Sequence, residues 1–565
     1  MIEIRGQGVS GGIASGPLYV YRRAGGPAAV RERIADVAAE IERLKAAQAR
    51  AIEQLGELAD RSREAAGDDA ASLFETHQMM VEDPDYVEAI ERGIREGAMR
   101  AEAAVADAGE ELAGMFAAMD DAYMRERAAD VRDVSGRIIA ILSGEQSAME
   151  IGSPAILVAD DLSPSETIQL DRTKILGFVT EGGSATAHTA ILARGMGIPA
   201  VVGARGILAH DLAGREAIID GGTGTVAVDP DEPTRARMAQ ERAGQQGRRE
   251  ALARLKGAED VTRDGRRVRV YCNIGSPDDV ASVLENDGRG IGLFRSEFLY
   301  LGRDSAPSED EQFEAYRDVL ARMEGKEVII RTMDIGSDKQ VEYLGLPHET
   351  DPAMGLRALR ICLERPDLFR TQLRALYRAS AFGRLLIMFP MVASVWEVRE
   401  AKAMCEQVIH ELDTEGVPHG DVPLGIMIET PAAALISDRL AKEVDFFSCG
   451  TNDLTQYTLA CARGGSGLEC SFDPHHLAVL RLLKIAADAA HAASICIGVC
   501  GDLAADLEMT ETFLALGIDE LSVPPSGVLP LRERVRSIDV ASAREGILAA
   551  LMDDRPASHE AGHHA

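Results

Sequence analysis

The sequence predicts a multidomain α/β protein in which a helical domain interrupts an N-terminal α/β domain and a C-terminal (β/α)8 barrel follows. Its 565 residues are enough for roughly three or four domains of ~100–200 residues each. A strand-and-turn pattern near the start gives way to a long helical block, after which strand patterns return. Later in the chain, eight strand-like runs alternate with helical stretches, which is the order of elements in such a barrel.

The first part of the chain alternates glycine turns with short apolar runs over residues 1–22. From about Val30 onward, apolar residues recur every three to four positions among Ala, Glu and Arg, which predicts amphipathic helices. Strand patterns return with PAILVAD at 154–160. We therefore predict one α/β domain with a helical insertion. The α/β domain comprises residues 1–29 and 145–230, and the insertion comprises residues 30–144.

The rest of the chain begins with residues 231–260, which are charged and helix-forming with few large apolar side chains, as in a linker helix. Residues 261–565 hold the predicted barrel. Its strand-like runs are 268–274, 290–294, 327–333, 385–391, 423–428, 445–449, 495–500 and 520–523. Catalytic residues of such barrels lie where the strands end. The polar and thiol residues there are Asn273, Arg295, Arg331, Asp334, Glu429, Asn452, Asp453 and Cys500.

Composition and charge exclude several classes of protein. The net charge of −32 disfavours nucleic acid or an anionic membrane as the main partner, although a basic protein partner remains open. No apolar run approaches the ~18 residues of a membrane span, and the N-terminus has no secretory pattern. The eight cysteines include no CxxC pair, so we expect reduced thiols and a cytoplasmic location.

The predicted barrel rim combines three kinds of chemical group. Arg295 and Arg331 are fork-shaped cations suited to a phosphate or a carboxylate. Glu429 and Asp453 are hard oxygen ligands that suit Mg²⁺ held together with a phosphorylated substrate. Cys500 adds a thiol. Each of these alone is more often structural, but together they predict a small, highly anionic, phosphorylated substrate.

A possible nucleophile, His188, follows a run of small residues and immediately precedes the helix-like segment TAILARGMG. The free N–H groups of a helix N-terminus would stabilise a phosphate carried by this imidazole. Neutral imidazole is a nucleophile near pH 7. The spacing alone leaves open that His188 only satisfies a local hydrogen bond.

Two other patterns are rejected. Gly6, Gly8 and Gly11 match GxGxxG, but a strand pattern follows instead of a helix, so a dinucleotide site is not expected. His475, His476 and the histidines of the C-terminal tail lack paired ligands at metal spacing, and we expect them to be surface residues.

Several longer motifs are highly specific, above all RTMDIGSDK and GTNDLTQYTLA in this order. Further motifs are GVSGGIASGP, FETHQMMVEDP, YMRERAADVRDV, DLSPSET, GIGLFRSEFLY and GVCGDLA. In these motifs the sequence resembles the enzyme I family of the bacterial phosphoenolpyruvate-dependent sugar phosphotransferase system over nearly the whole chain. The resemblance implies a swivelling phosphohistidine domain, an inserted helical domain that binds the phosphocarrier protein HPr, and a phosphoenolpyruvate-binding barrel that forms a homodimer.

The resemblance also implies a role for each site residue. His188 would take the phosphoryl group of phosphoenolpyruvate on Nε2 and pass it to HPr, with release of pyruvate, as the first general step of sugar uptake. The residues implied at the barrel are Arg295 and Arg331 for the substrate phosphate, Asn452, Asp453 and Arg463 for further substrate contacts, Glu429 and Asp453 for Mg²⁺, Cys500 as the acid that protonates C3 of the enolate, and Arg357 lining the pocket.

The sequence departs from the family pattern at two places. The usual Gly-Gly-x-Thr-Ser-His loop has one residue more here, and Ala187 stands where a hydroxyl residue normally precedes the histidine. The family's Asp-Arg-Gly-Asn appears as Ala-Arg-Gly-Gly around Arg463. The hydrogen bonding of the loop and the orientation of Arg463 should differ accordingly.

Three alternative functions are disfavoured. A phosphoenolpyruvate synthase or a pyruvate phosphate dikinase would need a nucleotide-binding domain upstream of His188, where we find no glycine-rich phosphate loop. A regulatory phosphotransferase often carries an added sensory or carrier domain, which we do not expect here. A non-catalytic scaffold does not explain the complete set of rim residues.

Overall fold

The computed structural model describes the chain except for residues 22–32, 67, 118–121, 145–150, 169, 172, 184–189, 191, 195–196, 302, 304, 337–340, 347–353, 462–471 and 553–565. Its contacts divide the chain into two units, Met1–Arg248 and Arg249–Ala565. Each unit is described by itself.

The first unit contains an eight-stranded mixed sheet. Its strands are β1 (Ile2–Arg5), β2 (Gln7–Ser10), β3 (Ile13–Val20), β4 (Ala155–Ala159), β5 (Ile175–Thr180), β6 (Ala200–Val202), β7 (Glu216–Asp220) and β8 (Thr225–Val228). They are hydrogen-bonded in the order β1-β8-β7-β3-β4-β5-β6-β2. The first three strands therefore share one sheet with strands that follow the helical block in sequence. A short helix, α6 (Pro164–Ile168), follows β4.

Two glycines of the rejected GxGxxG pattern, Gly6 and Gly8, allow backbones to approach one another. A Cβ on Gly8 would lie 2.4 Å from the Gly221 carbonyl oxygen, and one on Gly6 would lie 2.5 Å from the Val202 carbonyl oxygen. Real Cβ atoms essentially never come this close to another atom. Because β3, and not a helix, follows these glycines, the segment lacks the geometry of a dinucleotide site.

Between β3 and β4, the described residues form five helices. They are α1 (Val37–Ala66), α2 (Asp68–Glu82), α3 (Pro84–Gly97), α4 (Ala101–Ala117) and α5 (Ala122–Ser143). The chain breaks between α2 and α3 at Asp83. The Asp83 side chain caps α3 by accepting hydrogen bonds from the Asp85 and Tyr86 N–H groups, and Pro84 occupies the first turn, where a missing N–H costs nothing. Tyr86, Ile90 and Ile94 then recur every four residues on the buried face.

The second unit is a closed parallel barrel. Its strands are β9 (Arg269–Ile274), β10 (Ile291–Arg295), β11 (Glu327–Arg331), β12 (Arg384–Phe389), β13 (Leu424–Ile428), β14 (Phe446–Cys449), β15 (Cys496–Val499) and β16 (Glu520–Val523). Each of the eight predicted runs overlaps one strand, so the predicted fold class is confirmed. A helix, α7 (Glu232–Ala253), lies within residues 231–260. The helices that follow are α8 (Asp279–Glu285), α9 (Glu309–Arg322), α10 (Leu359–Glu364), α11 (Pro366–Ala379), α12 (Val395–Glu415), α13 (Pro431–Leu435), α14 (Ser437–Leu440), α15 (Thr451–Leu459), α16 (Leu477–Ala492), α17 (Thr510–Leu516), α18 (Val528–Ser537) and α19 (Val540–Met552).

The barrel lumen is polar where the strands begin. Glu327 lies between two arginines, at 3.3 Å from Arg269 Nη1 and 2.8 Å from Arg384 Nη2, and the Tyr271 hydroxyl donates to it at 2.5 Å. Glu520, the first residue of β16, is buried beside Arg269, its partner in the strand register. Burial raises the pKa of Glu520 to about 8, with Glu327 adding to the rise and Arg269 opposing it.

A buried arginine on α18 binds the segment that precedes β9, the first strand of the barrel. Arg532 is fully buried and its guanidinium binds two carboxylates, Asp260 at 2.6 Å and Asp287 at 2.5 Å. The same guanidinium donates to the carbonyl oxygens of Leu255 and Asp287. Its hydrogen bonds hold the segment between α7 and β9 against the barrel.

Candidate active site

The predicted rim residues in the described part of the chain lie at the C-terminal ends of the barrel strands. Arg295 and Arg331 are the last residues of β10 and β11, and they pair in the strand register. Glu429 and Cys500 come directly after β13 and β15. Because all eight strands are parallel, these ends form one rim.

Asn452 and Asp453 stand in the first turn of α15, which follows β14. The Asn452 Oδ1 atom accepts a hydrogen bond from the Asp502 N–H at 3.2 Å. This bond ties the start of α15 to the loop after Cys500. Both predicted substrate-binding residues are therefore at the same rim as the arginines.

Arg331 is the centre of a buried charge network. Its Nη1 atom is 2.7 Å from Asp334 Oδ2, and its Nη2 atom is 3.1 Å from Glu297 Oε1. Arg357 reaches the other oxygen of Asp334 at 3.4 Å. Burial alone lowers the pKa of Arg331, but Asp334 and Glu297 outweigh it and hold the pKa above its ordinary value. The guanidinium is therefore a permanent cation in a fixed orientation.

The sequence did not single out Glu297. It accepts hydrogen bonds from both Arg331 and the Asp334 N–H, the latter at 3.0 Å, so it sets the position of two rim residues. A weak signal was available, because Glu297 lies two residues after Arg295 in the motif GIGLFRSEFLY. Without the fold, however, its contact with the 331–334 segment could not be derived.

Glu429 is fully buried, and within the described part of the chain one of its two oxygens has a hydrogen-bond partner. The Met391 N–H donates to Oε1 at 2.5 Å, with Met391 in a left-handed conformation at φ +56°. Oε2 has no hydrogen-bond partner among the described residues. Burial raises the pKa of Glu429 to about 8. The nearby Asp334 and Asp453 add to this rise, whereas Arg331 lowers the pKa.

These residues fit a divalent cation. A buried carboxylate with an unpaired oxygen is costly unless a cation or a donor meets it. Magnesium is usually bound by one or two carboxylates together with phosphate oxygens of the substrate. Glu429 and Asp453 would supply those carboxylates, and the described residues contain no cluster of three or more His, Cys, Asp and Glu side chains that could form a cage of protein ligands alone.

Cys500 is buried, with 2% of its surface exposed. Its N–H donates to the Cys449 carbonyl oxygen at 3.1 Å, and its sulfur lies 3.7 Å from the same oxygen. Burial raises the pKa of the thiol to about 11, although the Ser448 hydroxyl and Arg331 lower it. The thiol therefore keeps its proton at neutral pH, as an acid must before it acts.

Two of the predicted site residues, His188 and Arg463, lie outside the described residues. The backbone before His188 is described up to Gly183, which has φ +90°. The Gly182 N–H donates to the Asp160 carbonyl oxygen at 2.7 Å, and the Thr180 hydroxyl donates to the Gly182 carbonyl oxygen at 2.8 Å. These bonds fix the entrance to the loop at the end of β5.

Three family profiles match the chain and define its class. The PEP-binding domain of PEP-utilising enzymes matches residues 249–540, their N-terminal domain matches 5–127, and their mobile domain matches 151–224. The first match covers the barrel and its rim. The class is therefore that of enzymes which use phosphoenolpyruvate.

The relatives specify the class further. The chain is 41% identical to the phosphoenolpyruvate-protein phosphotransferase of Staphylococcus carnosus over 550 residues, which are 96% of this chain and 95% of the relative. It is 43% identical to that of Geobacillus stearothermophilus over 97% and 95% of the two chains, and 41% identical to that of Bacillus subtilis over 97% of each. The chain belongs to the phosphoenolpyruvate-protein phosphotransferase family, enzyme I, and it is an enzyme of phosphoenolpyruvate-dependent phosphotransfer. The resemblance drawn from the sequence is confirmed.

No helix in the described part of the chain combines the length and the apolar character that crossing a bilayer requires.

Proposed function

We propose that this enzyme transfers the phosphoryl group of phosphoenolpyruvate to its own His188 and then to a histidine of an HPr-type carrier, with release of pyruvate. This is the first general step of sugar uptake by the phosphotransferase system. The observation that carries the proposal is the barrel rim, where a buried, permanently charged arginine, a carboxylate with an unpaired oxygen and a protonated thiol meet.

The arginines bind and orient the substrate. Arg331 is fixed by Glu297 and Asp334, so its guanidinium needs little reorganisation when a phosphate arrives. Arg295, next to it on β10, is exposed and supplies a second cation. Asn452, Asp453 and Arg463 complete the substrate contacts. Phosphoryl transfer depends mainly on such positioning and charge neutralisation.

Mg²⁺ would be held by Glu429 and Asp453, and when bound it supplies positive charge to the transferring phosphoryl group. The Met391 N–H holds one oxygen of Glu429 and leaves the other for the cation. Glu429 must be ionised to act as a ligand, and Arg331 favours that form.

His188 is the nucleophile, and Cys500 is the acid. The imidazole Nε2 of His188 forms the new bond to phosphorus as the bond from phosphorus to the enolate oxygen breaks. Cys500 then protonates C3 of the enolate, which yields pyruvate and makes the transfer favourable. The buried thiol is suited to this role because it remains protonated until the enolate forms.

We assign one task to each predicted domain. Residues 1–29 and 145–230 carry the phosphohistidine, 30–144 bind the carrier, 231–260 link the domains, and 261–565 bind phosphoenolpyruvate and form a homodimer. The helical insertion is acidic, and an acidic surface speeds encounter with a basic carrier face. Since His188 serves two partners, we propose that its domain swings about the linker, and that the enzyme works in the cytoplasm.

The test is labelling of the purified enzyme with ³²P-phosphoenolpyruvate and Mg²⁺, without nucleotide. We expect an acid-labile, base-stable label on the wild type, no label on His188→Ala, and transfer of the label to added HPr. His210→Ala is the matched control, since it removes a histidine elsewhere in the first unit. A label that requires ATP, or that persists in His188→Ala, would contradict the proposal and favour a synthase-like activity.

A further inference from the structure

One rim residue without a role so far is Asn273, on β9. Its side-chain amide spans three strands of the barrel. Nδ2 donates to the Cys500 carbonyl oxygen after β15 at 2.9 Å and to the Ser522 carbonyl oxygen on β16 at 3.1 Å. In return, Oδ1 accepts a hydrogen bond from the Ser522 hydroxyl at 2.7 Å.

The orientation of this amide is unambiguous. Two carbonyl oxygens can only accept, so the NH₂ group must face them, and the Ser522 hydroxyl then donates to Oδ1. Both hydrogens of the amide are used, and its oxygen has a donor. A side chain satisfied in this way has one rotamer, which fixes the carbonyl group of Cys500 in space.

The other side of the same peptide is also confined. A Cβ on Gly501 would lie 2.1 Å from Thr451 Oγ1 and 2.7 Å from the Thr451 backbone nitrogen, so the backbone runs directly against the start of α15. The Cys500 N–H is held by the Cys449 carbonyl oxygen at 3.1 Å. Among the described residues, the side chain that hydrogen-bonds the Cys500 carbonyl oxygen is that of Asn273.

We propose that Asn273 is a positioning residue for proton transfer by Cys500: it holds the Cys500 carbonyl so that the thiol faces C3 of the enolate. The inference rests on the proposed function and deepens it. In the step concerned, the S–H bond of Cys500 breaks, a C–H bond forms at C3 of the enolate, and a thiolate remains that takes a proton from solvent. Asn273 exchanges no proton and acts only through Cys500.

The experiment separates carbon protonation from phosphoryl transfer. Wild type, Asn273→Ala and Asn273→Asp are incubated with Mg²⁺ and excess pyruvate in D₂O, with enough phosphoenolpyruvate to keep the enzyme phosphorylated. Proton NMR measures deuterium entering the pyruvate methyl group, and rapid-quench ³²P labelling measures phosphoenzyme formation. Asn286→Ala is the matched control, because this asparagine also donates to a backbone carbonyl, that of Ser282, but on the barrel exterior at the end of α8.

We expect both Asn273 variants to slow deuterium entry roughly 10²-fold, since small displacements of a reacting group have effects of this size. Labelling should change less than twofold. Asn273→Asp should be at least as slow as Asn273→Ala, because it turns an oxygen toward two carbonyl oxygens. In a Cys500→Ala background, Asn273→Ala should not slow deuterium entry any further.

The failures are distinguishable. Wild-type deuterium entry in both Asn273 variants would overturn the inference and leave the proposed function intact. Equal slowing of both steps, accompanied by a lower melting temperature, would make Asn273 a structural residue and also overturn it. If the wild type takes no label, the proposed function fails; if it takes the label but Cys500→Ala still exchanges deuterium normally, only the acid assignment and this inference fail.

Discussion

Glu520 should make the barrel less stable as the pH rises, and Glu520→Gln should remove that effect. Burial raises the folded-state pKa of this carboxyl from its ordinary 4.5 to about 8, so the folded barrel retains a proton that the unfolded chain releases. Stability from this group is complete below pH 4.5 and is lost as the pH rises toward 8. Glutamine imitates the protonated carboxyl at every pH.

The size of the effect follows from the shift. Each pH unit between 4.5 and 8 costs about 1.4 kcal/mol, or roughly 5 kcal/mol over the whole interval. The free energy of unfolding of Glu520→Gln, relative to that of the wild type, should therefore increase by about 4 kcal/mol between pH 5 and pH 8. Other titrating groups are common to both proteins and cancel in this comparison.

The assay is urea unfolding at a series of pH values, followed by circular dichroism and tryptophan fluorescence. Trp396 is the only tryptophan and lies on α12, so its fluorescence reports on the barrel unit. Glu285→Gln, an exposed glutamate on α8, is the control. An advantage of Glu520→Gln that is the same at pH 5 and pH 8 would refute the reasoning, because it would show that the carboxyl does not retain its proton on folding.

Three further results are expected. Arg532→Met should lower the free energy of unfolding by about 3–5 kcal/mol in urea titrations, because it removes the buried cation that contacts both Asp260 and Asp287 and leaves them the more distant Arg289, 3.9 Å from each; a loss below 1 kcal/mol would contradict this. Arg331→Lys should raise the KM for phosphoenolpyruvate at least tenfold, since a lysine cannot bridge both of its carboxylate partners, whereas Arg384→Lys at the opposite end of the barrel should leave KM unchanged. The rate of iodoacetamide labelling of Cys500, read by mass spectrometry, should rise about tenfold per pH unit from pH 8 to pH 10. A plateau of this rate below pH 9 would show that the pKa of the thiol is lower than its burial implies.

Much of the fold could be predicted because it depends on local patterns of apolar residues along the sequence. Short apolar runs, buried along almost their whole length, identify strands such as β11 and β15, and the parallel barrel places their ends at one rim. Arg331 and Glu429 could therefore be placed at the rim from the sequence alone.

The remaining parts of the site depend on contacts between distant segments. Met391, in the loop after β12, has a left-handed conformation, and its N–H donates to Glu429, which follows β13. Neither feature can be predicted from the residue types alone. The position of Asn273 near the end of the strand-like run 268–274 predicts that it lies at the rim. That its amide reaches across β16 to Cys500 follows only from the curvature of the closed barrel.

The order of strands in the first sheet has a consequence for synthesis of the chain. β1 pairs with β8, so β1 lacks this partner until Thr225–Val228 has left the ribosome. The helices α1 to α5 contact one another and are complete well before that point. Local helical contacts form fast, whereas pairing of distant strands is slow. During translation, α1 to α5 should thus fold together first, while β1 to β3 still lack the later strands with which they pair.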